Sequence, residues 1–178
     1  MRLENCPDAA PPRQDFRILQ ESMRMLLIAA GKRQPDWIND GYHEYARRLR
    51  GPCILELVEI PLGRRSRSEA GDKARAAEGQ RMLRAIPPGA HVVALAVDGR
   101  AWSSAELASR LASWMAIGAP VCLLVGGPDG LSPQVLQRAD ERWSLSPLTL
   151  PHGLVRPVVA EALYRAWSLA QGHPYHRE

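Results

Sequence analysis

The sequence predicts an α/β fold built on a parallel sheet. Three observations carry this. The runs Met25–Ala30, Val92–Val97 and Val121–Val125 are continuously apolar, as strands covered on both faces are. Amphipathic segments with helical spacing alternate with them. No internal repeat or linker divides the 178 residues, a length for one domain.

Each element follows in order. Residues 1–22 hold Pro7, Pro11 and Pro12, mixed charge and no apolar face. They read as a disordered extension, with Met23 as an alternative translation start and 23–178 as the domain. Met23 opens the first strand, which ends at Gly31. Residues 36–50 place Ile38, Tyr42, Tyr45 and Leu49 at helical spacing, with Arg47, Arg48 and Arg50 where the helix dipole favours cations. Ile54–Ile60 is a strand with Glu56 and Glu59 interleaved, and 61–72 a basic loop. The spacing predicts a helix over 73–86 with Ala74, Ala77, Met82 and Ile86 on its apolar side. Asp98-Gly99-Arg100 reads as a turn after the strand Val92–Val97. Ser103 and Glu106 form a capping box before Leu107, Leu111, Trp114 and Met115. Ser132-Pro133 is an N-cap and N1 pair. A last helix over 157–170 holds Pro157 in its first turn, where the missing N–H costs nothing.

Composition bounds the function. The formal charge is +4, and 21 of the 23 basic residues are Arg. Arg forks suit phosphate, so a nucleic-acid partner is compatible, although a GC-rich genome gives the same bias. No apolar run reaches the roughly 18 residues that span a bilayer, and MRLENCPDAAPPRQDF lacks the apolar core of a secretory signal. Cys6, Cys53 and Cys122 are odd in number and form no C-x-x-C pair, so a reducing, cytoplasmic setting is the simplest reading. Neither a P-loop, a G-x-G-x-x-G turn nor a G-x-S-x-G elbow is present.

The chemistry concentrates in the last third. Gly126-Gly127-Pro128-Asp129-Gly130 follows the most apolar strand, at the strand end where open α/β sheets bind ligands. It reads equally as a plain strand-to-helix turn. Residues 143–152, rich in Ser, Thr and Pro, suit an irregular loop that could hold an adenine ring, or a short edge strand with a turn. His152 and Arg156 either line a pocket or cap the last helix. Arg64, Arg65 and Arg67 mark a solvated loop first and an RNA contact second. The tail from His173 to Glu178 is either a polar clamp for a nucleotide or a frayed terminus. A metal reading of His173, His176 and Glu178 lacks a fourth ligand, and no metal is expected.

Taken together, the late motifs resemble the RlmH family of SPOUT-class ribosomal RNA large subunit methyltransferases. They are Leu124-Val125-Gly126-Gly127-Pro128-Asp129-Gly130-Leu131-Ser132, then Trp143 through His152, Leu154-Val155-Arg156, Glu161 through Ser168, and His173-Pro174-Tyr175-His176-Arg177-Glu178. Upstream, Met23–Gly31, Pro35-Asp36-Trp37, Tyr45 and Glu59-Ile60-Pro61 also fit, so the resemblance covers 23–178. It implies a deep C-terminal trefoil knot, which pattern rules alone would not propose. It implies S-adenosyl-L-methionine held by three loops, here Leu95, the Gly126–Gly127 turn, and Leu145, Ser146, Pro147, Leu148, Thr149 and Leu150. It implies a homodimer acting on N3 of a pseudouridine in 23S rRNA of the 70S ribosome. The imide N3 must lose its proton, and the catalytic candidates for the base or cation that helps are His152, Arg156, Tyr175, His176 and Arg177, with the tail residues handling the substrate and the proton acceptor left open among the five. Pro147, Gly153 and Pro157 depart from the family pattern, and Pro147 removes one backbone N–H from the cofactor loop. The competing reading is a catalytically silent knotted rRNA-binding or ribosome-assembly factor, which predicts a damaged glycine turn or tail.

Overall fold

The computed structural model describes residues 23–49, 51, 53–65 and 71–177, the side chains of His176 and Arg177 excepted. The extension 1–22, Cys6, Arg50, Arg67 and Glu178 therefore lie outside the described residues. The elements run β1 (Met23–Ala30), α1 (Asp36–Ala46), β2 (Cys53–Ile60), α2 (Asp72–Ala85), β3 (His91–Ala101), α3 (Ser104–Ile117), β4 (Val121–Val125), α4 (Pro133–Arg138), β5 (Glu141–Ser144) and α5 (Val155–Ala170). A short 3-10 turn, Pro174–Arg177, follows.

The strands form one sheet in the order β2-β1-β4-β3-β5, every pair parallel. The sequence reason is the two-residue period of a strand. In β1, Met25, Leu27 and Ala29 face one core with Tyr42 of α1, Leu111 and Trp114 of α3, and Val159 and Leu163 of α5. Leu26, Ile28 and Ala30 face the other, with Met82 of α2 and Val135 of α4. β4 divides likewise, Leu123 to the first core and Cys122 and Leu124 to the second. Burial of each large aliphatic side chain contributes about 2 kcal/mol. Both described cysteines, Cys53 and Cys122, are buried free thiols, which burial pushes up to about 12 and about 11. Among the described residues no helix is long and apolar enough to cross a membrane.

The caps form as read. Ser103 accepts from the Glu106 amide at 3.2 Å, and Glu106 accepts from the Ser103 amide at 2.9 Å. Ser132 caps α4 through the Val135 amide, with Pro133 in the first turn. Two expectations change. α1 stops at Ala46 instead of reaching 50. The Arg48 and Leu49 amides bond carbonyls three residues back, at 3.0 and 3.2 Å, so the chain tightens and turns Leu49 into the core. Asp98-Gly99-Arg100 is not a turn but part of β3. Both Leu95 and Arg100 pair with Trp143 of β5, so residues 96–99 bulge out of the ladder. A Cβ on Gly99 would sit 2.8 Å from the Trp143 backbone carbon, which is why glycine is needed there.

Candidate active site at the carboxyl ends of the strands

Three chain segments enclose a cavity of about 610 Å³ at the carboxyl ends of β3 and β4. The β3 bulge supplies Leu95, Ala96, Val97 and Asp98. The turn after β4 supplies Gly126, Gly127, Pro128, Gly130 and Leu131. The segment from Trp143 to His152 closes the third side, with Leu145, Ser146, Leu148, Thr149 and Leu150 in the wall. Leucines make most of this surface apolar, which suits a flat heterocycle, while the loops offer backbone amides and carbonyls for its polar edge.

Local chemistry fixes each wall. A Cβ on Gly126 would meet the Gly130 carbonyl carbon at 2.4 Å, so only glycine lets the turn fold back on itself. The turn closes with the Gly130 amide donating to the Gly127 carbonyl at 3.0 Å, and Gly130 has φ of 76°. In the third segment the Ser144 hydroxyl donates to the Ser146 carbonyl at 3.2 Å. The Ser146 hydroxyl accepts from the Leu148 amide at 2.9 Å. Pro147 sits between these bonds and is not among the cavity-lining residues, so its missing N–H falls outside the wall.

The polar side lies where β1 and β2 end. His152 lines the cavity, half-buried, with its Nε2 3.4 Å from where a Cβ on Gly31 would lie. Burial lowers its pKa, the cations of Arg156 and Arg65 add to this, and Glu78 opposes them. The ring is therefore held neutral near pH 7, in the form that accepts a proton. Arg156, four residues on, takes another path. It is fully buried, its guanidinium donating to Glu59 at 2.8 Å and to the Gly31 carbonyl, with Nε unpartnered among the described residues. It pins α5 to the ends of β1 and β2 and is not part of the cavity wall.

The tail is elsewhere again. The Tyr175 hydroxyl donates to Glu161 on α5 at 3.3 Å, and its ring centre is 4.7 Å from that of Tyr164. Arg165 lies over the ring at 5.1 Å. Burial, the Tyr45 hydroxyl and Glu161 raise the phenol's pKa. Tyr175 thus packs midway along α5, while the side chains of His176 and Arg177 lie outside the described residues. The structure brings Leu95, Gly126, Gly127, the Leu145–Leu150 wall and His152 together, and does not bring Arg156 or Tyr175 to them.

One group escaped sequence reasoning. Glu78 of α2 is 2% exposed. Its Oε1 accepts from the Gly63 amide at 2.8 Å and pairs with Arg65 at 3.1 Å. Its Oε2 has no partner among the described residues and lies 2.6 Å from the Cβ position of Gly127. Arg65 also donates to Asp129 of the glycine turn at 2.7 Å, tying the β2–α2 loop to the cavity. The signal was present in the spacing: Glu78 falls four residues after Ala74 and four before Met82, on the buried stripe. Among the described residues no three His, Cys, Asp or Glu side chains group as metal ligands.

Comparison with known proteins bears on this arrangement. The family model described as "Predicted SPOUT methyltransferase" matches residues 23–176. A protein of Alkalilimnicola ehrlichii called Ribosomal RNA large subunit methyltransferase H is 57% identical over 155 residues, 87% of this chain and 99% of that one. Proteins of the same name from Methylococcus capsulatus and Hahella chejuensis are 54% and 50% identical, covering 87% and 88% of this chain and all of theirs. Among solved structures, a probable methylase family protein from Haemophilus influenzae Rd KW20 aligns with TM-score 0.51 at 11% identity, over 88% of this chain and 71% of that one, a likeness of fold. With a parallel sheet, a glycine turn after β4 and a leucine-walled cavity at the strand ends, the chain belongs to the RlmH family of SPOUT methyltransferases.

Proposed function

We propose that the protein transfers a methyl group from S-adenosyl-L-methionine to N3 of a pseudouridine in 23S rRNA of the assembled 70S ribosome. The observation that carries this is the cavity itself. Its three walls are the segments at which the family resemblance places the cofactor, and its size and apolar lining fit an adenosine with backbone groups at hand. Leu95, Gly126, Gly127 and the Leu145–Leu150 segment hold the cofactor, Pro147 shaping that segment from outside the cavity wall. The close approach at Gly126 leaves no room for a side chain, so the turn presents bare backbone. When bound, the cofactor supplies an electrophilic methyl group. The chain's own residues then orient the base and take its proton.

An imide N3 must lose its proton to become nucleophilic. His152 is the group for this, a neutral imidazole in the cavity wall. Arg156 acts as a positioning residue, holding the first turn of α5 and hence the His152 loop against Gly31. The tail residues Tyr175, His176 and Arg177 grip the substrate, with Arg177 stabilising the anionic base. Tyr175 rests on the flank of α5 and not at its own chain's cavity, which suits a homodimer in which the tail serves a second copy. The same reading gives the knot its place. Residues 145–154 run from edge strand β5 across the ends of β3 and β4 to α5 beside β1.

The test is transfer of a tritiated methyl group to 70S ribosomes lacking the modification, with the labelled nucleotide mapped. Label at N3 of a 23S pseudouridine is expected, and deletion of 173–178 should abolish it while cofactor binding survives. Cofactor binding without label on any ribosomal particle would favour a silent assembly factor.

A further inference from the structure

Beside the cavity, the carboxyl ends of β1 and β2 carry an unpaired basic edge. Lys32 and Arg33 follow β1, and Arg64 follows β2. The two strands pair in parallel with Ala30 opposite Ile60, and the Gly31 amide donates to the Ile60 carbonyl at 2.8 Å, so the two loops leave the sheet side by side. Lys32, Arg33 and Arg64 are exposed, and none makes an ion pair among the described residues. On other surfaces Arg24, Arg48, Arg100 and Arg138 each rest on a carboxylate, while Arg81 and Arg84 of α2 rest on none among the described residues. The acids at this corner are already engaged, Glu59 by Arg156, Glu78 and Asp129 by Arg65, and Asp72 by Arg75. Asp36 and Asp40 on α1 offset the charge only in part.

Arg33 adds a second, independent observation. Among the described residues it is the non-glycine residue with positive φ, at 61°. A side chain is unfavourable in that region, and glycine would relieve it. Strain of this kind persists only where the surrounding structure holds it, and it clusters at ligand-binding sites. Both loops also abut the cavity: a Cβ on Gly31 would lie 3.4 Å from the His152 Nε2, and Arg65, next to Arg64, reaches Asp129 in the glycine turn.

We propose that Lys32, Arg33 and Arg64 form a phosphate-binding edge that seats the RNA backbone, so that the strand delivers its target base from the β1–β2 side to His152. The inference rests on the rRNA reading above and names the face by which that substrate enters. Arg forks and a Lys ammonium suit a run of phosphates, and they leave base identity to the cavity.

The experiment compares wild type with Lys32→Ala/Arg33→Ala/Arg64→Ala and with Arg33→Gly alone. Ribosome binding by sedimentation over a salt series, methyl transfer against ribosome concentration, and S-adenosylhomocysteine affinity by calorimetry are measured. The triple variant should raise KM for ribosomes about ten-fold and flatten the log–log salt slope by about three. Its kcat and S-adenosylhomocysteine affinity should be unchanged. Arg33→Gly should raise Tm while weakening ribosome binding, an opposition that a merely structural arginine would not show. An unchanged KM and salt slope in the triple variant would overturn the edge, as would Arg33→Gly that left ribosome binding intact. A wild type that bound ribosomes through these residues yet transferred no methyl group would sustain the edge and overturn the functional reading instead.

Discussion

The two ends of the sheet are built on opposite terms. At the amino ends of β3 and β5, polar groups interlock. Glu141 accepts from His91 at 2.8 Å and from the Trp114 indole at 2.9 Å, and pairs with Arg110. Asp140 accepts from the Val92 amide at 2.8 Å, and Arg138 bridges Asp140 and the Ala90 carbonyl. At the carboxyl ends, Glu78 Oε2 and Arg156 Nε are buried without partners among the described residues, Arg33 is strained, and a cavity opens. Three other buried polar atoms lack partners among the described residues, Trp102 Nε1, Trp167 Nε1 and Ser168 Oγ, but the two that belong to charged side chains both lie here, beside the cavity.

The contrast can be broken by experiment. The largest effect is expected from Glu141→Ala, which strands three donors at once. It should lower stability by about 3 kcal/mol, read by chemical denaturation, without changing S-adenosylhomocysteine affinity. Gly126→Ala should do the reverse. Its Cβ collides with backbone of the same turn, so S-adenosylhomocysteine affinity should fall about 100-fold, or about 2.7 kcal/mol, in calorimetry. Glu78→Gln should be mild. The amide oxygen still accepts from Gly63 and Arg65 keeps Asp129, so stability should shift by less than about 1 kcal/mol. A loss as large as that of Glu141→Ala would erase the distinction between the two ends.

The smallest effect concerns pH. The folded pKa of His152 lies below its unfolded value of about 6.5, so the unfolded chain binds the proton first. Its contribution is complete above that value, declines as pH falls through it, and levels off once the folded ring also protonates. Denaturation from pH 8 to 5 should show this decline, and His152→Asn should flatten it. An identical pH profile in His152→Asn would mean that the ring is not held neutral.

Much of the fold was legible because its signals are local. β4 is apolar throughout, and the caps at Ser103 and Ser132 depend on residues three apart. The β3 bulge was not, because nothing in Asp98-Gly99-Arg100 states that Trp143 will pair on both sides of it. In the site, the glycines and leucines of the wall were readable from the motifs. Arg156 was harder. Four residues from His152 implies a shared helical face, but α5 begins at Val155, so His152 lies before the helix and the two side chains diverge. Tyr175 is held by Glu161 and Tyr164, and such docking of a tail on a helix has no local signature.

The strand order also sets a timetable for assembly. β1 is made first, yet one of its edges is completed only by β4, whose Val121 pairs with Met25. At about 10 residues per second of synthesis, that partner arrives about ten seconds later. Until then the nascent chain presents an unpaired apolar edge, the kind of surface on which chains aggregate. α5, which covers α1 and α3, comes later still. A sheet wound in this order cannot mature from its beginning. Faster synthesis of the last third shortens the time for which that edge stays open.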